Sequence, residues 1–139
     1  VVAVARDLVG RVHFYFVVDT LEYLQRGGRI SFTKRLLGTA LRIKPILHFE
    51  DGRIKSLTQA RTKRKAVARM LDVVEERLGG RRMAEASVVD ANSPEEGDAL
   101  AEQVKERFGI STVYRTVLSP AIGTHGGPGT IAIGFYAEK

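Results

Sequence analysis

The sequence predicts an α+β two-layer sandwich: a mixed β-sheet of about six strands with helices on one face, in one domain over residues 1–139. Three observations carry this expectation. Strand-like and helical patterns alternate along the chain, with one hairpin embedded among them. The run Arg11 to Val18 (RVHFYFVV) is apolar on both faces and rich in aromatic and β-branched residues, as a central strand must be. Two long helical stretches, 62–78 and 94–108, each carry a single apolar stripe.

Taken in order, residues 1–9 read as the end of a helix. After the central strand, Asp19 is placed to cap a short helix, with Glu22 as its box partner, and Gly27-Gly28 ends it. Ser31 opens the next helix, roughly 32–42, through Phe32, Leu36, Leu37, Ala40 and Leu41. Lys44–Phe49 and Arg53–Ala60 flank Glu50-Asp51-Gly52, a strong hairpin signal, with Pro45 at the start of its strand. In the helix 62–78 the stripe is Val67, Met70, Leu71, Val74 and Leu78. Its first turn is crowded by Arg61, Lys63, Arg64 and Lys65, at the wrong end for the helix dipole. Met83–Val89 is a strand. Ser93-Pro94-Glu95-Glu96 then starts a helix with cap serine, first-turn proline and glutamate, and buries Leu100, Ala101, Val104 and Phe108. Ser111–Leu118 and Thr130–Tyr136 are the last strands.

Composition narrows the function. The chain has 44% hydrophobic and 27% charged residues, an ordinary globular balance. Without cysteine it has neither disulfides nor a thiolate metal site, which fits a reducing, cytoplasmic setting. No apolar run approaches the roughly 18 residues of a membrane span. The opening Val1-Val2-Ala3-Val4-Ala5 has no basic leader, and the chain starts without methionine inside a structured pattern, so an excised domain is expected. The net charge of +6 is scattered and mostly not interleaved with aromatics, which speaks against nucleic acid and for a solvated basic surface. His13, His48 and His125 are far apart and lack ligand spacing, so no metal and no cofactor are expected. No nucleophile elbow or phosphate-loop lysine pattern is present. The sequence supports binding better than turnover, and the expectation is a non-enzyme.

The most unusual stretch is Gly123-Thr124-His125-Gly126-Gly127-Pro128-Gly129-Thr130, four glycines, a proline and a histidine between two strands. Glycines allow close backbone approach, and successive N–H groups form anion-binding nests. Thr124 adds a hydroxyl and His125 an imidazole, which together suit a carboxylate or phosphate head. The alternative is a plain Gly/Pro turn. A second anion site is expected at the joint Gly27-Gly28-Arg29, where a helix begins beside Arg29; a solvated loop charge is the competing reading.

Three stretches together resemble the DegV family. They are Val17-Val18-Asp19-Thr20-Leu21-Glu22-Tyr23-Leu24-Gln25-Arg26-Gly27-Gly28-Arg29-Ile30; Leu41-Arg42-Ile43-Lys44-Pro45-Ile46-Leu47, with Asp51-Gly52 after it; and the Gly-Thr-His-x-Gly-Pro-Gly loop at 123–129. The resemblance implies the C-terminal domain of a two-domain fatty-acid-binding protein, its own N-terminal domain lying outside this chain. It implies a long-chain fatty acid with its carboxylate at the domain interface, presented to a fatty acid kinase for acyl-phosphate formation, the binding protein itself not being the catalyst. His125 matches the motif histidine that holds the carboxylate, and Thr124 and Gly126 flank it. Arg29 matches the arginine after the double glycine, near the head group and the kinase-facing surface. Ile30, Leu37, Leu41 and Ile46 are candidates for the acyl tail, with plain core as their other reading. Gly126 departs from the larger apolar residue usual in the family, which would loosen the loop or open space beside the head group. An interface left bare in the isolated domain would favour dimerisation. The alternative function is an enzyme or binding module acting on a small phosphorylated molecule through the glycine loop.

Overall fold

A computed structural model describes residues 1–29 and 43–139. In chain order the elements are α1 (Val2–Val9), β1 (His13–Val17), α2 (Glu22–Arg26), β2 (Lys44–Glu50), β3 (Arg53–Ala60), α3 (Lys63–Leu78), β4 (Met83–Asp90), α4 (Pro94–Phe108), β5 (Val113–Val117), α5 (Pro120–Gly126) and β6 (Ile131–Ala137). The helix expected over 32–42 lies outside the described residues, as do the tail candidates Ile30, Leu37 and Leu41.

Six strands form one sheet in the order β3-β2-β1-β6-β4-β5. The pairs β3–β2, β2–β1, β1–β6 and β6–β4 are antiparallel, and β4–β5 is parallel. The parallel pair requires a crossover, which α4 supplies. The β2–β3 hairpin turns on Asp51 and Gly52, both with positive φ (51° and 71°), the geometry that Asp-Gly favours.

The alternation of β1 assigns the two faces of the sheet. Tyr15 and Val17 join Ile46, Ala86, Val88, Ile133 and Phe135 in a core closed by Ala66, Met70, Leu71 and Val74 of α3 and Leu100, Ala101 and Val104 of α4. The two long helices therefore share one face, as the stripes predict. Phe16 and Val18 point the other way, into a second apolar cluster with Leu24, Leu47, Val89 and Ala132. Both faces of β1 are dry, which explains why its sequence does not alternate.

Helices α3 and α4 run side by side in the same direction. Lys63 meets Glu96 near their starts, and Arg107 reaches Asp72 and Glu75 near their ends. Thr62 caps α3 by accepting from the Lys65 N–H at 3.2 Å. Ser93 heads α4 without a side-chain cap. Its own N–H donates to Asp90 Oδ1 at 2.9 Å, so the buried acid anchors the turn the serine was expected to cap. Asp19 likewise does not cap α2. The Glu22 N–H is taken by Thr20 Oγ1 at 3.2 Å, and Leu21 is the last residue before the helix.

The glycine stretch also departs from expectation. Residues 120–126 are helical, so His125 and Thr124 sit on α5 and only 127–130 form the turn into β6. The cause is a Ser119-Pro120 helix start, with the proline's fixed φ at the first helical position.

Candidate functional site

The expected head-group residues converge on a seam between α2 and α5, at the end of the sheet where β1 finishes and β6 begins. Gly27 is its pivot. A Cβ at this position would overlap the His125 imidazole at Nδ1, so only glycine lets α5 approach so closely. Arg29 folds back over the same residue: its Nη1 donates to the Gly27 carbonyl at 2.6 Å. Its backbone N–H donates to Leu24 O at 2.9 Å, holding the arginine against the helix end. A second glycine repeats the device from the other side. Gly127 has φ 81° and ψ 168°, and a Cβ there would overlap the Tyr23 ring of α2.

His125 is half-buried, and its Nδ1 is shielded from solvent with no hydrogen-bond partner among the described residues. An unsatisfied buried ring nitrogen is costly unless something meets it. Arg29 and His125 thus bring a guanidinium and an imidazole to one backbone position, a donor set suited to a carboxylate.

Thr124 is exposed on α5, and its hydroxyl proton is engaged, donating to Pro120 O at 2.8 Å. Its oxygen remains an acceptor only. Gly126 is buried, and a Cβ would lie 2.9 Å from Thr130 Oγ1 and 3.6 Å from Leu118 Cδ2. The space beside it is therefore filled, not opened. The expected anion nest is absent among the N–H groups of the turn. Those of Gly123, Gly127, Gly129 and Thr130 donate to the Ser119, Gly123, Ala91 and Gly127 carbonyls, respectively. Ile46 lies in the core beneath the helices with no exposed surface, while its neighbour Leu47 faces the second cluster.

Sequence reasoning missed what fixes this seam. Asp19 packs against Gly129, whose φ is 84° and whose Cβ would overlap the carboxylate. The Asp19 carbonyl accepts from Lys44. Its carboxylate lies 2.9 Å from Lys63 Nζ, which also lies 2.6 Å from Glu96; both are charge contacts outside hydrogen-bond angles. The misplaced basic turn of α3 is thereby accounted for at Lys63. The carboxylate of Asp90, 1% exposed, takes Arg115 Nη2 at 3.0 Å as well as the Ser93 N–H. Ala91, directly after it, exchanges backbone hydrogen bonds with Thr130 (2.9 Å) and Gly129 (2.7 Å). The glycine turn is thus held from three elements.

Among the described residues no group of histidine, aspartate and glutamate is arranged to hold a metal ion, and no helix is long and apolar enough to cross a membrane.

A mixed six-stranded sheet backed by two parallel helices, with a histidine helix locked against a double glycine, is an α+β architecture found in known proteins. The chain belongs to the DegV family: the family model, described as "Uncharacterised protein, DegV family", matches residues 1–138. It is 39% identical over 129 residues to a DegV domain-containing protein of Halalkalibacterium halodurans, covering 93% of this chain and 46% of that protein. Among solved structures it resembles a fatty-acid-binding DegV family protein of Thermus thermophilus, with TM-score 0.87 and 30% identity, over 99% of this chain and 49% of that one. DegV of Bacillus subtilis, a fatty acid binding protein, gives TM-score 0.80 and 33% identity, over 99% and 49%. The chain spans about half the length of these relatives.

Proposed function

We propose that this chain is the C-terminal half of a two-domain protein that binds a long-chain fatty acid. The single observation that carries the reading is the orphaned Nδ1 of His125 beside Arg29, in a chain similar to fatty-acid-binding proteins. The carboxylate sits at the α2–α5 seam, held by His125 and Arg29, and the missing half completes its coordination. Thr124 contributes an acceptor oxygen or redirects its proton on binding, and Gly126 keeps α5 packed on Thr130. The tail leaves the seam along the second face of the sheet, past Leu24, Phe16 and Leu47, with Ile30, Leu37 and Leu41 as further lining. These residues form an apolar cluster, the surroundings an acyl chain requires.

The chain binds and presents, and a partner fatty acid kinase converts the exposed head group to an acyl phosphate. Arg29 lies on the surface that faces that partner. The alternative, a phosphate held by the backbone of the glycine turn, loses its basis because those N–H groups are already engaged.

Mass spectrometry of organic extracts tests the reading. A two-domain protein containing this chain is expected to retain stoichiometric fatty acid. His125→Ala should weaken retention about tenfold or more, the scale of one charge-assisted hydrogen bond. Undiminished retention in the variant would remove His125 from the site, and lipid-free wild-type protein would overturn the function.

A further inference from the structure

The opposite end of β1 carries a second site that owes nothing to the seam. There the end of α3, the turn after α1 and the last residues of β6 enclose a recess of about 250 Å³. Its walls are Arg11, His13, Arg77 and Arg81 over a floor of Phe135 and Ala137. Three guanidinium groups and an imidazole meet there, and no carboxylate lines it. The acid beside it, Asp7, is engaged outside the recess by Arg11 at 2.6 Å and Lys139 at 3.2 Å.

Helix-end chemistry does not account for this gathering. Arg81 does cap α3, its Nε donating to Leu78 O at 3.0 Å and its Nη2 to Arg77 O at 3.3 Å. Cations are favoured at a helix C-terminus. Yet Arg77 uses only its Nε, on the Tyr15 hydroxyl at 3.0 Å, and both its terminal nitrogens lack a hydrogen-bond partner among the described residues. Arg81 Nη1 is free in the same sense. Arg11 comes from the end of α1, where it bonds Asp7 and the Ala137 carbonyl at 2.6 Å each, and His13 comes from β1, so neither belongs to the end of α3. Arg11 is neutralised by Asp7, but Arg77 and Arg81 have no acidic partner among the described residues, and two like charges held together this way invite an anion to relieve them.

We propose that this recess binds a small phosphate-bearing anion, its oxygens held by the free guanidinium nitrogens of Arg77 and Arg81, with Arg11 and His13 beside them. Several convergent guanidinium forks suit a tetrahedral dianion with three terminal oxygens better than a lone carboxylate. The titration of His13 agrees. Burial, then the charges of Arg77 and Arg81, hold its pKa below the usual histidine value. The other groups around it are Tyr15 at 6.3 Å, His48 beyond that ring, and the Asp7–Lys139 pair at the rim.

The chain titrated with inorganic phosphate and pyrophosphate, followed through the His13 ring-proton NMR signal, provides the test. Phosphate is expected to shift that signal and raise the His13 pKa, whereas chloride at equal ionic strength should not. Arg81→Gln, at an exposed position, should weaken binding about tenfold or more, and Arg82→Gln, outside the recess, should leave it unchanged. Vesicles of phosphatidylcholine with and without phosphatidic acid separate the two sources of the phosphate. Acid-dependent sedimentation lost in Arg81→Gln assigns it to a lipid headgroup. Binding of soluble phosphate alone assigns it to a soluble monoester. An equal response to chloride, or no response to phosphate or vesicles, overturns the proposal, and because the wild type carries this readout it does not depend on a variant folding.

Discussion

Strand β1 joins two ends built on opposite principles. At the Asp19 end, opposite charges interleave, and glycines let three elements interlock: Gly27 under His125, Gly127 under Tyr23, Gly129 under Asp19. At the His13 end, Gly10 has open space around its Cβ position, and the order comes from charge, with arginines gathered around a histidine. One end is specified by what cannot be added to the backbone, the other by what is not neutralised. Substitutions should therefore act on stability at the first end and on anion binding at the second.

The sharpest way to break this contrast is a matched pair of glycine substitutions. Gly127→Ala places a methyl group into the Tyr23 ring and forces a backbone region open essentially to glycine alone. The strain and the overpacking together should cost about 3–5 kcal/mol. Gly10→Ala, with φ −88° and nothing within 4 Å, should change stability by less than about 0.5 kcal/mol. Urea unfolding of both variants measures the difference, and comparable losses would show that the two ends are not built differently.

Next in size is the support beneath the seam. Asp90→Ala removes the buried partner of Arg115 and the acceptor for the Ser93 N–H. Arg115 retains Asp98 at 2.9 Å and is partly exposed, so it is not stranded, and the expected loss is about 2 kcal/mol. The same variant should loosen the glycine turn through Ala91. Hydrogen exchange of the Gly129 and Leu118 amides, which donate to Ala91 and Asp90 carbonyls, would report that directly. Unchanged protection would mean that the turn is held without Asp90.

How much of this was legible in the sequence follows the range of each signal. The hairpin at Asp51-Gly52 and the stripe of α3 are encoded within a few residues, and the structure carries both. The helix α5 has the same Ser-Pro start as α4, but four glycines in and after it outweigh that signal in a local reading. Asp19 and Ser93 are residue types that cap helices, but Thr20 took the place at α2, and at α4 Ser93 makes no side-chain cap while its own N–H is drawn to Asp90. What no local pattern carries is the pairing of Gly27 with His125, or of Asp19 with Gly129, each joining residues about a hundred positions apart. The double glycine was visible as a helix end; its use as a seat for an imidazole exists only once α2 and α5 are brought together. The arginine recess was hidden for the same reason, since Arg11, His13, Arg77 and Arg81 share no spacing.

The smallest effect tests the charged end through its stability. His13 and His48 flank Tyr15, and both have pKa values lowered first by burial; the cationic neighbours Arg77 and Arg81 add to this at His13, and Arg77 and Lys55 at His48, where Glu50 opposes them. A histidine whose folded pKa is depressed binds fewer protons folded than unfolded. Stability from this source is therefore complete above the ordinary value of 6.5 and declines as pH falls below it toward the folded pKa. Urea midpoints should fall as pH is lowered from neutrality through this window, before the carboxylates of Asp7 and Glu50 titrate, because hydrogen bonds with Arg11 and Lys55 respectively hold those acids below their usual range. His13→Gln should flatten the decline, and phosphate should flatten it too by countering the guanidinium charge that disfavours the imidazolium. A pH slope that survives His13→Gln unchanged would place the effect at His48 and remove the arginines' hold on His13, whereas a slope lost in the variant and relieved by phosphate would tie the stability of this end to the same charges that bind the anion.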